Sequence, residues 1–154
     1  MSNPFMVRAI QLSVESVHSG GGPFGAVIAQ GGQLVAESGN RVTATHDPTA
    51  HAEVLAIRLA CRKLGVFELK GCDLYTSCEP CPMCLGAIYW ARLDRIYFGS
   101  TAGDAAQAGF DDSFIYQELD LPYAQRRIAA IQMMREDALA GFRAWVEKQD
   151  KTKY

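Results

Sequence analysis

Two short stretches constrain this chain more than anything else in it: His51-Ala52-Glu53 and Pro80-Cys81-Pro82-Met83-Cys84. An imidazole and two thiols are the donor types that zinc takes. They can serve one ion only if the fold brings the two stretches together. Local signals indicate how. Asp47-Pro48 pairs a capping residue with a proline suited to the first turn of a helix, and Cys81-Pro82 places a proline in the same way. The first helix is predicted to run from Asp47-Pro48 to about Leu64 and stop at Gly65, the second from Pro82 to about Trp90. Each stretch therefore lies at or near a helix N-terminus, where free N–H groups and the positive dipole end favour a thiolate.

The rest of the chain reads as strands alternating with helices. Asn3-Pro4 opens a helix over 4–18, with Val7, Ile10, Val14 and Val17 at helical spacing. Gly20-Gly21-Gly22-Pro23 ends it. Phe24 to Ala29 and Leu34 to Glu37 are predicted strands, joined by a hairpin turn at Gln30-Gly31-Gly32. Leu74 to Thr76 and Arg95 to Phe98 are two more, and Ile128 to Met134 is read as another strand. Short helical turns and loop are expected between Thr101 and Leu121. Leu139, Phe142 and Val146 give a last amphipathic helix from Glu136 to Gln149. This order predicts an α/β layered domain with helices on both faces of a sheet.

Length and charge narrow the possibilities. The chain has 154 residues, which fits one domain over 1–154. Fifteen basic side chains stand against 17 acidic ones, so no general basic footprint for nucleic acid is present. No uncharged apolar run approaches the ~18 residues of a membrane span. Met1 to Phe5 has neither the basic start nor the apolar stretch of a secretory signal, so the cytoplasm is expected. There the five cysteines are read as thiols or metal ligands rather than a disulfide framework.

One imidazole and two thiolates leave the fourth tetrahedral position of zinc to water, the arrangement of a catalytic site. Glu53, two residues from His51, is then the natural proton shuttle. Three plainer readings compete. A closed structural site would add Cys78 but give Glu53 no task. A redox pair at Cys81 and Cys84 would leave His51-Ala52-Glu53 unexplained. Unrelated buried thiols would make the pattern a coincidence.

The combination H-x-E with P-C-x-x-C resembles the zinc-dependent nucleobase and nucleoside deaminases, the cytidine/deoxycytidylate deaminase superfamily. The resemblance implies a three-layer α/β/α sandwich around a five-stranded mixed sheet, with Cys78 outside the ligand set. The runs Gly21 to Val27, Asp47 to Glu53, Tyr75 to Cys84, Leu85 to Arg92 and Ala108 to Tyr116 further resemble the bacterial guanine deaminases. That likeness implies hydrolysis of guanine to xanthine and ammonia, with one zinc per chain on His51, Cys81 and Cys84. It implies Glu53 and Asp112 as the two proton-carrying carboxylates, and Phe24, Asn40, Ala52 and Trp90 around a purine base. It also implies a domain-swapped homodimer, in which residues about 136–154 cross over and Tyr154 closes the partner's site. Plainer roles stand beside these: turn residues for Asp112 and Asn40, core packing for Phe24 and Trp90, a frayed tail for Tyr154. Other substrates stay open, namely guanosine, cytidine or cytosine, and tRNA adenosine. So does a zinc-stabilised interaction domain without turnover.

Overall fold

Asn3 starts the first helix, α1 (Pro4–His18), by accepting the backbone N–H groups of Phe5 and Met6 on Oδ1 at 2.9 and 3.2 Å. The face it buries is not the apolar stripe. Val7, Ile10, Val14 and Val17 are 40–51% exposed, while Ala9, Leu12 and Ser16 are buried. Small side chains decide this, because they let the helix come down close onto the sheet. Gly25 takes the contact: a Cβ there would collide with the Ala9 carbonyl oxygen and lie 2.7 Å from Leu12 Cβ. The spacing identified the helix but not its inner face.

A computed structural model describes residues 2–154, which divide into two compact units, one ending at Ser113 and one spanning Phe114–Tyr154. In the first unit, β1 (Gly25–Gln30) and β2 (Gln33–Gly39) form an antiparallel hairpin. Its turn puts Gly31 and Gly32 at φ of 56° and 79°, left-handed backbone that glycine adopts without strain. β3 (Cys72–Cys78) runs antiparallel to β1, and β4 (Arg95–Ser100) parallel to β3. The mixed sheet has four strands in the order β2-β1-β3-β4.

The expected fifth strand is absent among the described residues. Ile128 to Met134 carries no regular structure, and Ile128 and Ile131 are 83% and 84% exposed. A strand takes its hydrogen bonds from a neighbour, so an apolar run alone does not specify one.

Alternation along β1 divides the core of this unit. Val27 and Ala29 pack with Ala9, Leu12 and Tyr75 on the α1 side. Ala26 and Ile28 pack with Leu74, Ala52, Ala56 and Ile88 on the other. That second face is covered by α3 (Ala52–Leu64) and α4 (Pro82–Trp90). Three layers result, α/β/α. Gly65 stops α3 in left-handed backbone, as predicted.

The start of α3 differs from expectation. Asp47 does not cap it; its Oδ1 accepts the N–H and hydroxyl of Thr49 in a local turn. The Ala50 carbonyl is drawn away by the Arg41 N–H at 3.0 Å, and His51 stays extended, with ψ 151°. A short helix, α2 (Val42–Thr45), precedes this turn and was not foreseen.

Beyond β4, α5 (Ala102–Gln107) and α6 (Ser113–Asp120) supply the expected short helices. In the second unit a 3₁₀ turn at Tyr123–Gln125 precedes α7 (Arg135–Glu147), the last amphipathic segment, whose Phe142 and Val146 are exposed. No helix among the described residues is long and apolar enough to cross a membrane.

Candidate active site

His51 and Cys81 are the N-cap residues of α3 and α4. Cys84 follows in the first turn of α4, fully buried. The imidazole Nδ1 of His51 lies 3.5 Å from the sulfurs of both Cys81 and Cys84. Zinc–sulfur and zinc–nitrogen bonds of about 2.3 and 2.05 Å in a tetrahedron set sulfur and nitrogen about 3.6 Å apart. The donor set therefore fits zinc in chemistry and in spacing. Among the described residues these three form a group able to hold a metal ion, and Cys78 is not in it. The Cys78 thiol instead reaches the Thr101 carbonyl at 3.7 Å. A closed four-donor site is thus not what the chain builds.

The three donors are electrostatically coupled. The hydrogen bond from the Cys84 thiol holds Cys81 down at about 4, against the effect of burial, with His51 helping. The same contact, with burial, pushes Cys84 up. His51 is raised chiefly by its hydrogen bond with Cys81, while burial opposes the shift. Of the two thiols, Cys81 is therefore the one held as a thiolate, beside an imidazole that accepts or donates across the same short contact.

Glu53 occupies the first turn of α3 and is 5% exposed. Its Oε2 lies 3.5 Å from Cys84 Sγ and its Oε1 3.3 Å from the Thr76 hydroxyl. Burial raises its pKa above the ordinary carboxylate value. A buried carboxyl group, held above its ordinary value, stands beside the metal-binding group. Asp112 is less buried; partial burial and the charge of Cys81 raise it as well.

Other predicted positions fall in different surroundings. Phe24 packs edge-on against Phe110, centroids 5.1 Å apart, and so couples the start of β1 to the Phe110-Asp111-Asp112 segment. Asn40 accepts the Val42 N–H on Oδ1, which leaves its amide NH₂ as the group it can offer a ligand. Ala52 is fully buried at the start of α3. Trp90 ends α4 at 64% exposure, with the Arg92 guanidinium 5.9 Å from its ring centre, so it is not a core residue. Tyr154 is exposed in the second unit.

Two supporting residues escaped the sequence reading. Glu79 Oε2 accepts the Ala102 N–H at 2.9 Å and ties the cysteine loop to the start of α5. Thr76 contacts Glu53 from the middle of the sheet. Neither has a spacing signal; both read as ordinary loop and strand residues.

Residues 2–100 match the family model for the cytidine and deoxycytidylate deaminase zinc-binding region. The chain belongs to this deaminase family. Guanine deaminase of Bacillus subtilis (strain 168) is 54% identical over 151 residues, 97% of each chain. An X-ray structure of guanine deaminase from Bacillus subtilis superposes with a TM-score of 0.96 at 52% identity, covering 100% of this chain and 99% of that one. A tRNA-specific adenosine deaminase of Agrobacterium fabrum is 47% identical over a shorter match, 56% of this chain and 59% of its own. The zinc requirement expected from the donors is thus a property of the deaminase family to which the chain belongs.

Proposed function

We propose that this chain is a zinc-dependent aminohydrolase that converts guanine and water to xanthine and ammonia, with 1–154 working as one deaminase domain. The observation that carries the reading is a buried carboxyl, Glu53, 3.5 Å from a sulfur of a three-donor metal group. It occurs in a chain 54% identical across nearly its full length to a guanine deaminase. Identity and coverage together favour guanine over tRNA: the guanine deaminase is 54% identical over 97% of the chain, whereas tRNA-specific adenosine deaminases are 47% identical over 56% of it or 36% over 80%.

His51, Cys81 and Cys84 would hold the zinc, and a zinc ion held there supplies water acidic enough to act as a nucleophile near pH 7. Glu53 takes the proton that this water gives up. It then delivers the proton to a ring nitrogen of the purine, making the amino-bearing carbon electrophilic. The departing amine must also be protonated, because amide anion is too poor a leaving group. Asp112, itself raised in pKa by burial and the neighbouring thiolate, is assigned that second transfer, passing to the amine the proton that the added hydroxyl gives up as the new carbonyl of xanthine forms. Phe24 and Trp90 wall the planar base and Asn40 donates to its edge, while Ala52, fully buried in the core, lies behind the site rather than on its surface.

A second copy of the chain completes the assembly in this reading. Ile128, Ile131 and Phe142 expose large apolar side chains of the kind an interface covers. Residues about 136–154 would cross over, placing Tyr154 at the partner's site to exclude water. The free thiols fit a reducing cytoplasm.

The test is turnover. Metal-analysed protein incubated with guanine should produce xanthine and ammonia one for one, beside cytidine, adenine, guanosine and tRNA controls. One zinc per chain with turnover of a control and none of guanine would reassign the substrate. Zinc without any turnover would favour a structural domain.

A further inference from the structure

Thr76 is a polar exception on an apolar sheet face. The side chains around it on the α3 side of the sheet are Ala26, Ile28, Leu74, Ala52, Ala56 and Ile88, all fully or nearly fully buried. Thr76 itself is 1% exposed. Packing alone would be served there by valine, which has the same branched shape and no hydroxyl to satisfy. The hydroxyl carries one hydrogen, which it shares between two acceptors: the Cys78 carbonyl oxygen at 3.0 Å and Glu53 Oε1 at 3.3 Å.

These contacts make the two oxygens of Glu53 unequal. Oε1 rests against Thr76 in the floor of the sheet, whereas Oε2 lies 3.5 Å from Cys84 Sγ, on the side of the metal-binding group. A glutamate on the first turn of a helix has three side-chain torsions, and each swings the carboxyl away from its working position. A contact to one oxygen narrows that freedom and leaves the other oxygen for proton transfer. We infer that Thr76 is a positioning residue for Glu53, its hydroxyl holding Oε1 so that Oε2 faces the reacting water. The inference rests on the reading of Glu53 as the proton carrier in guanine deamination.

Four side chains at position 76 separate a hydroxyl effect from a packing effect. Thr76→Val removes the hydroxyl and keeps the shape. Thr76→Ser keeps the hydroxyl and loses a methyl, and Thr76→Ala lacks both. A positioning role lowers kcat about tenfold from threonine to valine and by a similar ratio from serine to alanine, with KM for guanine within about twofold. Zinc content after dialysis against a chelator should be equal across the set.

Equal kcat within each pair would overturn the inference and assign Thr76 to packing. Loss of zinc that follows loss of the hydroxyl would also overturn it, because the hydroxyl would then be acting through the Cys78 carbonyl on the cysteine loop. The unaltered chain is assayed alongside. If it produces no xanthine, the guanine reading fails and this inference fails with it; if it does and valine matches threonine, the inference alone fails.

Discussion

Oε2 of Glu53 lies 3.5 Å from Sγ of Cys84, although the two residues come from different helices on either side of β3 in the sequence. The relationship places a buried carboxyl group against the metal-binding group, outside the His51, Cys81 and Cys84 set. Glu53→Gln keeps the shape and removes the exchangeable charge. It should lower kcat by about 10²–10⁴-fold, while metal analysis still finds zinc on the protein. Zinc loss in this variant would instead mark Glu53 as a support for the ligands.

Asp112 tests the second proton transfer. It belongs to the segment that Phe110 anchors against Phe24, and the next residue, Ser113, is fixed by Asp111 rather than by Asp112. Its carboxylate is therefore not consumed in that turn. Asp112→Ala should reduce turnover by about a hundredfold with little change in thermal midpoint. Near-normal steady-state kinetics would return Asp112 to the role of a loop residue.

The C-terminal tail can be examined by truncation. Removing the last three residues, Thr152 to Tyr154, keeps Lys151 on the Trp145 and Val146 carbonyls and should lower kcat/KM for guanine while leaving zinc content and folding unchanged, because Tyr154 is assigned to closing a site. Unaltered kinetics would mean that the tail has no part in catalysis.

What the sequence disclosed, and what it hid, follows from where each signal resides. Asn3-Pro4, Gly31-Gly32 and Gly65 act through their own backbone geometry, and the elements they bound appear within a few residues of expectation. The metal donors were legible because spacing and residue type are local. Asp47-Pro48 failed as a helix start because Arg41, well upstream, takes the Ala50 carbonyl. Ile128 to Met134 failed as a strand because pairing needs a neighbour that no local pattern supplies. Thr76 was invisible for the same reason: its significance is a contact across the sheet and helix layers.

Arg8 gives a pH-dependent test of the packing between α1 and β2. Its Nε and Nη2 donate to Glu37 at 2.9 and 2.7 Å. The hydrogen bonds from Arg8 hold the Glu37 carboxyl below its ordinary value, with burial partly opposing. A depressed folded pKa means the unfolded chain binds the proton more tightly, so protonation favours unfolding. The stabilisation is complete above the ordinary carboxylate range and is lost as pH falls through the folded pKa. Arg8→Met should cost about 1 kcal/mol at pH 7 in urea unfolding, and the gap from the unaltered chain should narrow towards pH 3. An equal gap at both pH values would assign the effect to the aliphatic stem of Arg8.

Gly25 is the position at which fold and site are most directly linked. It begins β1, donates its N–H to the Ser77 hydroxyl at 3.0 Å, and follows Phe24, the residue that packs on Phe110. A methyl group at 25 meets the Ala9 carbonyl oxygen and Leu12, so α1 must move away from the sheet or β1 must shift. Helix backbone does not yield as a flexible side chain would. Gly25→Ala should therefore cost about 3 kcal/mol of unfolding free energy. It should also raise KM for guanine, since any shift of β1 carries Phe24 with it. Calorimetry and steady-state kinetics on the same preparation decide the matter. A large stability loss with unchanged KM would show that α1 gives way and Phe24 stays in place, whereas loss of both would show that the close approach of Ala9 to Gly25 holds the wall of the purine site.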